Sequence, residues 1–347
     1  MVDAIDGSNI VPEEAFTITG DCSYRFAHGS WDWFVESCGN KITTSDITKA
    51  IYMFNRSKLD NIPFDINMKK SSVDTDYMFA DSEFLKALPI INNLVLKKMD
   101  SMFYGMFRLR GIPEEVYNTW DFSYINGLTS EWTGGAWMNA FKYCFSLRSL
   151  PMKLLEHGNP YIYYGFSNYV GLGYSCHSLD EIIDLPYAHH KATWTSNAFS
   201  DFCVSASRIK EMTFKMPDGM PYVVKWKSQT IRLQSVGYAK NAINILNYNS
   251  GITADKEVKD DATYQALKND PDWFTTKVEY SRYNHDSAVN TINSLPDTSA
   301  YLAANGGTNT IEFKGAAGAL TDGGAINTLT EEEIAVAAAK GWTVSLV

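Results

Sequence analysis

The sequence predicts an α/β repeat fold, a solenoid of short parallel strands with helices and turns, capped at both ends. Two observations predict it. A phrase recurs four times between residues 53 and 151: Met53-Phe54…Leu59…Ile62-Pro63, Met78-Phe79…Leu85…Leu88-Pro89, Met102-Phe103…Leu109…Ile112-Pro113 and Ala140-Phe141…Leu147…Leu150-Pro151. The phenylalanine precedes the proline by 10 residues in the last three copies and by 9 in the first. The second observation is the period: Phe54, Phe79 and Phe103 stand 25 and 24 residues apart. A unit of that length holds one short strand and a turn or helix. It cannot bury its apolar side alone, whereas stacked units share a continuous core.

This period belongs to leucine-rich repeats. The recurring Met-Phe, a few polar residues and a Leu-x-x-Leu/Ile-Pro ending resemble the BspA-like leucine-rich repeat family. The resemblance implies an open, curved leucine-rich-repeat solenoid used as a binding or structural surface, of the kind found in bacterial surface proteins and bacteriophage structural proteins.

Residues 1–50 precede the clear repeats and read as an N-terminal cap or attachment segment. Phe16-Thr17-Ile18-Thr19 alternates like a strand, and Trp31, Trp33 and Phe34 form an aromatic cluster. Ser45-Asp46 before Ile47, Ile51 and Phe54 predicts a short helix feeding the first repeat. The array itself is expected over 51–213. Between Phe103 and Phe141 the spacing grows to 38 residues, and the excess holds Trp120, Trp132, Gly134-Gly135 and Trp137. Insertions in repeat proteins map to loops on one face, often the binding face. Beyond Pro151 the phrase degrades; Tyr164-Gly165-Phe166, Leu179…Ile182…Leu185-Pro186, Ala198-Phe199 and Ile209…Met212 read as divergent copies.

Residues 214–347 are expected to hold divergent C-terminal repeats with a helix-strand cap. Strands are predicted at 222–226, 230–233 and 242–246, and a helix at 262–268. A helix at 286–293 leads to a strand at 310–313. Thr330 and Glu333 have the spacing of a capping box, with Leu329 and Ile334 placed as its hydrophobic staple. That helix runs to Lys340, stops at Gly341, and is followed by a strand from Trp342 to Leu346.

Composition narrows the function. Hydrophobic residues make up 45% and charged residues 20%, as in a folded chain rather than a disordered one. Thirty basic against 40 acidic residues give a net charge of −10, which argues against nucleic-acid backbones and anionic membrane surfaces as partners. No apolar run reaches the ~18 residues of a bilayer span. The start carries no basic and apolar leader, so synthesis in the bacterial cytoplasm is expected. Cys22, Cys38, Cys144, Cys176 and Cys203 are scattered without a disulfide framework and read as free thiols in repeat cores.

Catalytic signatures are missing. There is no phosphate-binding loop, and Gly171-Leu172-Gly173 lacks the third glycine of a dinucleotide loop. His189-His190 are neighbours that point to opposite faces of a strand, and Cys176-His177 has no third group to complete a thiol nucleophile. No catalytic residue, metal or cofactor is assigned. Aromatic residues at 14% suit a recognition surface. The loop rings Trp120, Trp132, Trp137, Tyr161, Tyr163 and Trp194 are the candidate contacts with a ligand or partner.

With the resemblance, these features imply a non-enzymatic virion surface protein, a tail fibre or receptor-binding component or a head decoration, that serves host-surface attachment. The implied partners are other virion proteins and a host cell-surface glycan or protein, with several copies on each particle. The rival readings are a bacterial cell-surface adhesin and a polysaccharide depolymerase, since the plentiful carboxylates allow a glycosidase-like pair.

Overall fold

Each repeat is organised by two backbone positions, the residues two before and two after its phenylalanine. In the computed structural model of the chain, which describes residues 13–29, 31–127, 137–144, 146–157, 176, 179, 181–186, 211–216, 224–234, 284–314, 320–322 and 325–346, both positions have positive φ in five successive segments. The first of the pair is Tyr24 (φ 59°), Tyr52 (55°), Tyr77 (55°), Ser101 (54°) and Asn139 (53°). The second is His28 (63°), Arg56 (57°), Asp81 (58°), Gly105 (69°) and Tyr143 (65°). A left-handed residue in third place is what a type II turn requires. Overlapping turns follow in each segment, for example Met53 N–H to Ala50 O, Asn55 N–H to Tyr52 O and Ser57 N–H to Phe54 O.

The alternate N–H groups leave the segment and donate to the next one. Tyr24, Phe26 and His28 donate to Ile51, Met53 and Asn55; Tyr52, Phe54 and Arg56 donate to Asp76, Met78 and Ala80. Tyr77, Phe79 and Asp81 donate to Asp100, Met102 and Tyr104, and Ser101, Phe103 and Gly105 to Met138, Ala140 and Lys142. All of these bonds lie between 2.7 and 3.2 Å. In these four segments the alternate N–H groups are therefore paired without regular strand geometry.

The same register stacks the phenylalanines. Ring centroids of Phe26 and Phe54 are 5.1 Å apart, Phe54 and Phe79 5.6 Å, Phe79 and Phe103 6.2 Å, and Phe103 and Phe141 5.4 Å, with interplanar angles of 5–16°. Met53, Met78, Met102 and Ala140 beside them are buried, as are Leu59, Leu85, Leu109 and Leu147. Segment 22–28 carries neither the methionine nor the proline ending, and lies 28 residues before the next phenylalanine, yet it completes the series.

Short strands pair between repeats. β1 (Phe16–Asp21) runs parallel to β2 (Ile42–Lys49), with helix α1 (Asp32–Cys38) between them in sequence. β3 (Ile66–Asn67) and β4 (Ser72–Asp74) pair in parallel with β5 (Ile91–Asn92) and β6 (Val95–Lys98). A polar ladder crosses this side. Asn67 Nδ2 donates to Thr44 O at 3.0 Å, and Asn92 Nδ2 to Asn67 Oδ1 at 3.0 Å. The helix expected to feed the first repeat is instead the end of β2. Ile42, Thr44 and Ile47 turn inward while Thr43 and Asp46 stay exposed, and Asp46 (φ 49°) lies where the register to β1 shifts. β-branched residues on a half-buried edge outweigh the apparent helical spacing.

Helices α2 (Ser123–Asn126) and α3 (Met152–Leu155) follow the third and fourth prolines. β7 (Glu181–Pro186) is parallel to β8 (Glu211–Lys215), and β9 (Thr230–Gln234) is an edge of a parallel three-stranded sheet. Helices α4 (His285–Ser294) and α5 (Ser299–Asn305) lead to β10 (Asn309–Lys314) at the centre of that sheet, flanked by β9 and β13 (Trp342–Leu346). β11 (Leu320–Asp322) and β12 (Ala325–Asn327) form an antiparallel pair, and α6 (Glu331–Ala339) precedes β13. The predicted capping box is present, with Thr330 accepting from Glu333 N–H and Glu333 accepting from Thr330 N–H. Leu329 is buried and Ile334 packs against the core. Helix α5 was not expected from sequence. Of the strand predicted at 222–226, Val224 and Trp226 are buried but belong to no strand; the elements predicted at 242–246 and 262–268 lie outside the described residues.

The described chain is thus mixed α/β, with many short, mostly parallel, two-stranded sheets. Among the described residues no helix is long and apolar enough to cross a membrane.

Candidate binding face

Of the rings named from sequence, the two among the described residues are buried. Trp120 is 7% exposed and donates from Nε1 to Ile91 O at 2.8 Å. Trp137 is fully buried and donates from Nε1 to His157 O. Their indole N–H groups satisfy backbone carbonyls and their rings fill the core, so neither offers a face to a partner. Trp132, Tyr161, Tyr163 and Trp194 lie outside the described residues, as do His189 and His190. Replacing Trp120 by Ala is expected to destabilise the fold by about 3–5 kcal/mol, as for other buried aromatic truncations, which a denaturant titration measures.

The left-handed positions present a different set of rings. Tyr24 stacks on Tyr52 with centroids 4.9 Å apart and planes at 13°, and Tyr52 on Tyr77 at 4.8 Å and 6°. In the next segment the two positions are the small residues Ser101 and Gly105, and Tyr104 supplies the ring. Tyr104 meets Tyr143 edge-on at 5.3 Å. Lys142 Nζ lies 5.4 Å from the Tyr143 ring centre. Tyr24, Tyr52 and Tyr77 therefore stack across three segments at the first left-handed position, and Tyr104 and Tyr143 pair across the next two. Tyr24 is 57% exposed, and Tyr52, Tyr77, Tyr104 and Tyr143 are partly exposed.

Backbone strain marks these tyrosines. A residue with a Cβ costs roughly 1–2 kcal/mol in the left-handed region, and a bulky ring there is uncommon. Four of the five tyrosines adopt it. Equivalent positions tolerate Ser101, Asn139 and Gly105, so the rings are not needed to make the turn. Stacking returns ~0.5–1.5 kcal/mol per pair, which compensates Tyr52 between two neighbours better than Tyr24 at the end.

Asp81 holds the second left-handed position of the Phe79 segment, near Tyr104. Its φ is 58°, its N–H donates to Tyr104 O at 2.7 Å, and its carboxylate is 3.6 Å from Arg56 Nε. The carboxyl rests over Gly105, where a Cβ would come within 2.5 Å of Oδ1. Burial raises the Asp81 carboxyl to about 6, and Arg56 offsets only part of that. Burial first, then Tyr143, Asp81 and Tyr77, push the Tyr104 phenol above its ordinary range. The folded state thus holds the Asp81 proton more tightly than the unfolded chain does. Stability is expected to fall as pH rises from about 4 through about 6, and Asp81→Asn to remove that slope and stabilise the neutral protein by on the order of 2 kcal/mol. Thermal melts between pH 4 and 8 read this directly.

Two other clusters are structural. Cys144 donates to Phe103 O at 3.0 Å and Cys176 to Phe141 O at 3.1 Å, as Ser82 does to Phe54 O two repeats before Cys144. Both thiols are buried, and burial pushes Cys176 up to about 12, so they are weak nucleophiles. Phe122 stacks on His157 at 3.9 Å, and Asn126 Nδ2 lies 3.0 Å from His157 Nδ1, where burial holds the imidazole below its usual value. Cys203 lies outside the described residues. No group of acidic, His and Cys side chains suited to a metal occurs among the described residues.

The three stacked tyrosines carry a sequence signal of their own: Tyr24-x-Phe26, Tyr52-x-Phe54 and Tyr77-x-Phe79 share one spacing. Neither a family model, nor a curated protein, nor a solved structure matches the chain.

Proposed function

We propose that the chain is a BspA-like leucine-rich-repeat solenoid that works by binding rather than catalysis, as a virion surface protein that attaches a phage particle to its host. The observation that carries the binding reading is this set of tyrosines. Tyr24, Tyr52 and Tyr77 stack across three segments of the backbone ladder and Tyr104 meets Tyr143 in the next two; none of the five is buried, and four adopt a strained conformation that the turns do not require. Stacked turns bonded in register support the solenoid reading, because in a solenoid each unit bonds to the next along the chain. Strand β1 with α1 at one end, and α6 with β13 at the other, would cap it. The virion setting rests on the sequence resemblance. Several copies on one particle would turn weak single contacts into firm adsorption.

Immunogold electron microscopy of particles, with antibody raised against the full chain, tests the setting. Gold at the tail or over the head supports a virion component. Unlabelled particles beside labelled cells would contradict it and favour an adhesin.

A further inference from the structure

Independently of what the chain binds, we infer that His285 is a proton-operated clasp: as an imidazolium it ties the start of α4 to the start of α6 through Glu333, and loss of its proton loosens the C-terminal helix-strand unit.

Local sequence places the ring. Asn284 caps α4, its Oδ1 accepting from Ser287 N–H and from Ser287 Oγ at 2.8 Å, so the helix opens on His285 and Asp286. In α6 the capping box turns Glu333 back over Thr330, where its Oε2 accepts from Thr330 N–H at 2.7 Å. The two caps meet. His285 Nε2 lies 3.0 Å from the same Glu333 oxygen, and His285 Nδ1 lies 3.4 Å from Asp286 Oδ1. The His285 and Glu333 side chains are both less than a quarter exposed, at 21% and 23%.

Donor count decides the state of the ring. Each of its nitrogens faces a carboxylate oxygen, and an ionised carboxylate only accepts. A neutral imidazole has one N–H, so one lone pair would be directed at a carboxylate. An imidazolium has two donors and satisfies both.

The surrounding charges agree. Helix α4 packs against α6, β8 and β11. The first turn of α6, which reaches the ring, carries Glu331, Glu332 and Glu333. The cations on these elements lie at the far end of α4: Lys340 Nζ bonds Ile292 O and Asn293 O, and Lys215 follows Phe214, whose N–H donates to Ser294 Oγ. β8 also brings Glu211, which accepts from Asn290, and β11 ends on Asp322. Both helices aim positive N-terminal ends at the ring, which works against a proton there. Burial works in the same direction; the bonds to Glu333 and Asp286 outweigh it and raise the imidazole above its usual value. Glu333 is held below the usual carboxylate range, first by the Thr330 N–H and further by His285.

The clasp and the Lys340 contact hold α6 along α4 at its two ends, and α6 leads into β13, the edge of the three-stranded sheet. Folded His285 keeps its proton more tightly than the unfolded chain does. The stability it contributes is therefore full below the ordinary imidazole value of 6.5 and is lost as pH rises through the raised folded value.

The test uses the full chain with isotope-labelled histidine, the His285 NMR signal being assigned by its absence from His285→Gln. The parent is expected to titrate above 6.5, and Glu333→Gln to titrate lower than the parent. Gln keeps the reciprocal bond of the capping box, so α6 itself stays formed. Asp286→Asn should lower the titration by less, since its contact is the longer one. Thermal melts then read the coupling to stability: Glu333→Gln should lose more melting temperature at about pH 5.5, where the ring is charged, than at about pH 9, where it is neutral. Asp81 is present in both chains and cancels in this difference. A parent titration at or below 6.5, no change with Glu333→Gln, a larger fall with Asp286→Asn, or an equal loss of melting temperature at both pH values would each overturn the inference.

Discussion

Phe79→Ala is expected to lower the unfolding free energy by about 3–5 kcal/mol. Phe79 is fully buried and stacks on Phe54 at 5.6 Å and on Phe103 at 6.2 Å. Its N–H donates to Met102 O, and its carbonyl accepts from Ser82 N–H. Removing the ring opens a void between two neighbours that the backbone ladder holds at fixed spacing, so collapse cannot fill it. The apolar transfer loss and the cavity cost therefore add. Phe26→Ala, at the end of the stack, loses one ring neighbour in the row instead of two and should cost less. Urea titrations of the two variants give the ranking, and an equal loss at both would show that the stack is not what the ring contributes.

Gly105→Ala is expected to cost about 2–3 kcal/mol, although it adds a single carbon. Part is conformational, because φ is 69° and a residue with a Cβ pays roughly 1–2 kcal/mol there. The rest is steric. The new atom would stand 2.5 Å from Asp81 Oδ1 and 3.3 Å from Asp81 Cα. The carboxyl must therefore leave its seat beside Arg56, which links this position to the proposed binding face. In a double-mutant cycle, Asp81→Ala should relieve part of the Gly105→Ala penalty, leaving the conformational share. Strict additivity would mean that the carboxyl does not rest over the glycine.

The stacked turns were legible in the sequence wherever one residue type recurs. Phe54, Phe79, Phe103 and Phe141 occupy equivalent buried sites, stacked on one another, and the spacing shows. Segment 22–28 was hidden because Arg25 replaces the methionine beside Phe26, a position that faces less crowding at the end of the stack. The end of β2 was misread because Ile47, Ile51 and Phe54 mimic helical spacing, although a strand and a turn share them. The capping box, a local device, was read correctly.

The binding face was less legible, for a physical reason. Tryptophan in a long insertion reads as exposed because loops are, yet Trp120 and Trp137 close the core where the regular repeat is interrupted. Tyr24, Tyr52 and Tyr77 stand inside the repeat itself, where an aromatic residue reads as core. Only the sign of φ at those positions turns the rings outward, and no composition rule carries that sign. Asp81 was silent for the same reason. Its environment is made by Arg56 and Gly105, each 24–25 residues away in sequence and one repeat away in space.

Disulfide trapping tests the central claim, that successive repeats stack in register and set Tyr24, Tyr52 and Tyr77 in one row. Three paired variants of the full chain are needed: Y24C/Y52C, Y52C/Y77C and Y24C/Y77C. Adjacent positions are joined by the inter-repeat ladder, with rings 4.8–4.9 Å apart, and strands so bonded bring Cα atoms within disulfide range. The account predicts that the first two pairs cross-link under mild oxidation and that the third, two repeats apart, does not. Cross-linking of Y24C/Y77C, or of neither adjacent pair, would contradict it.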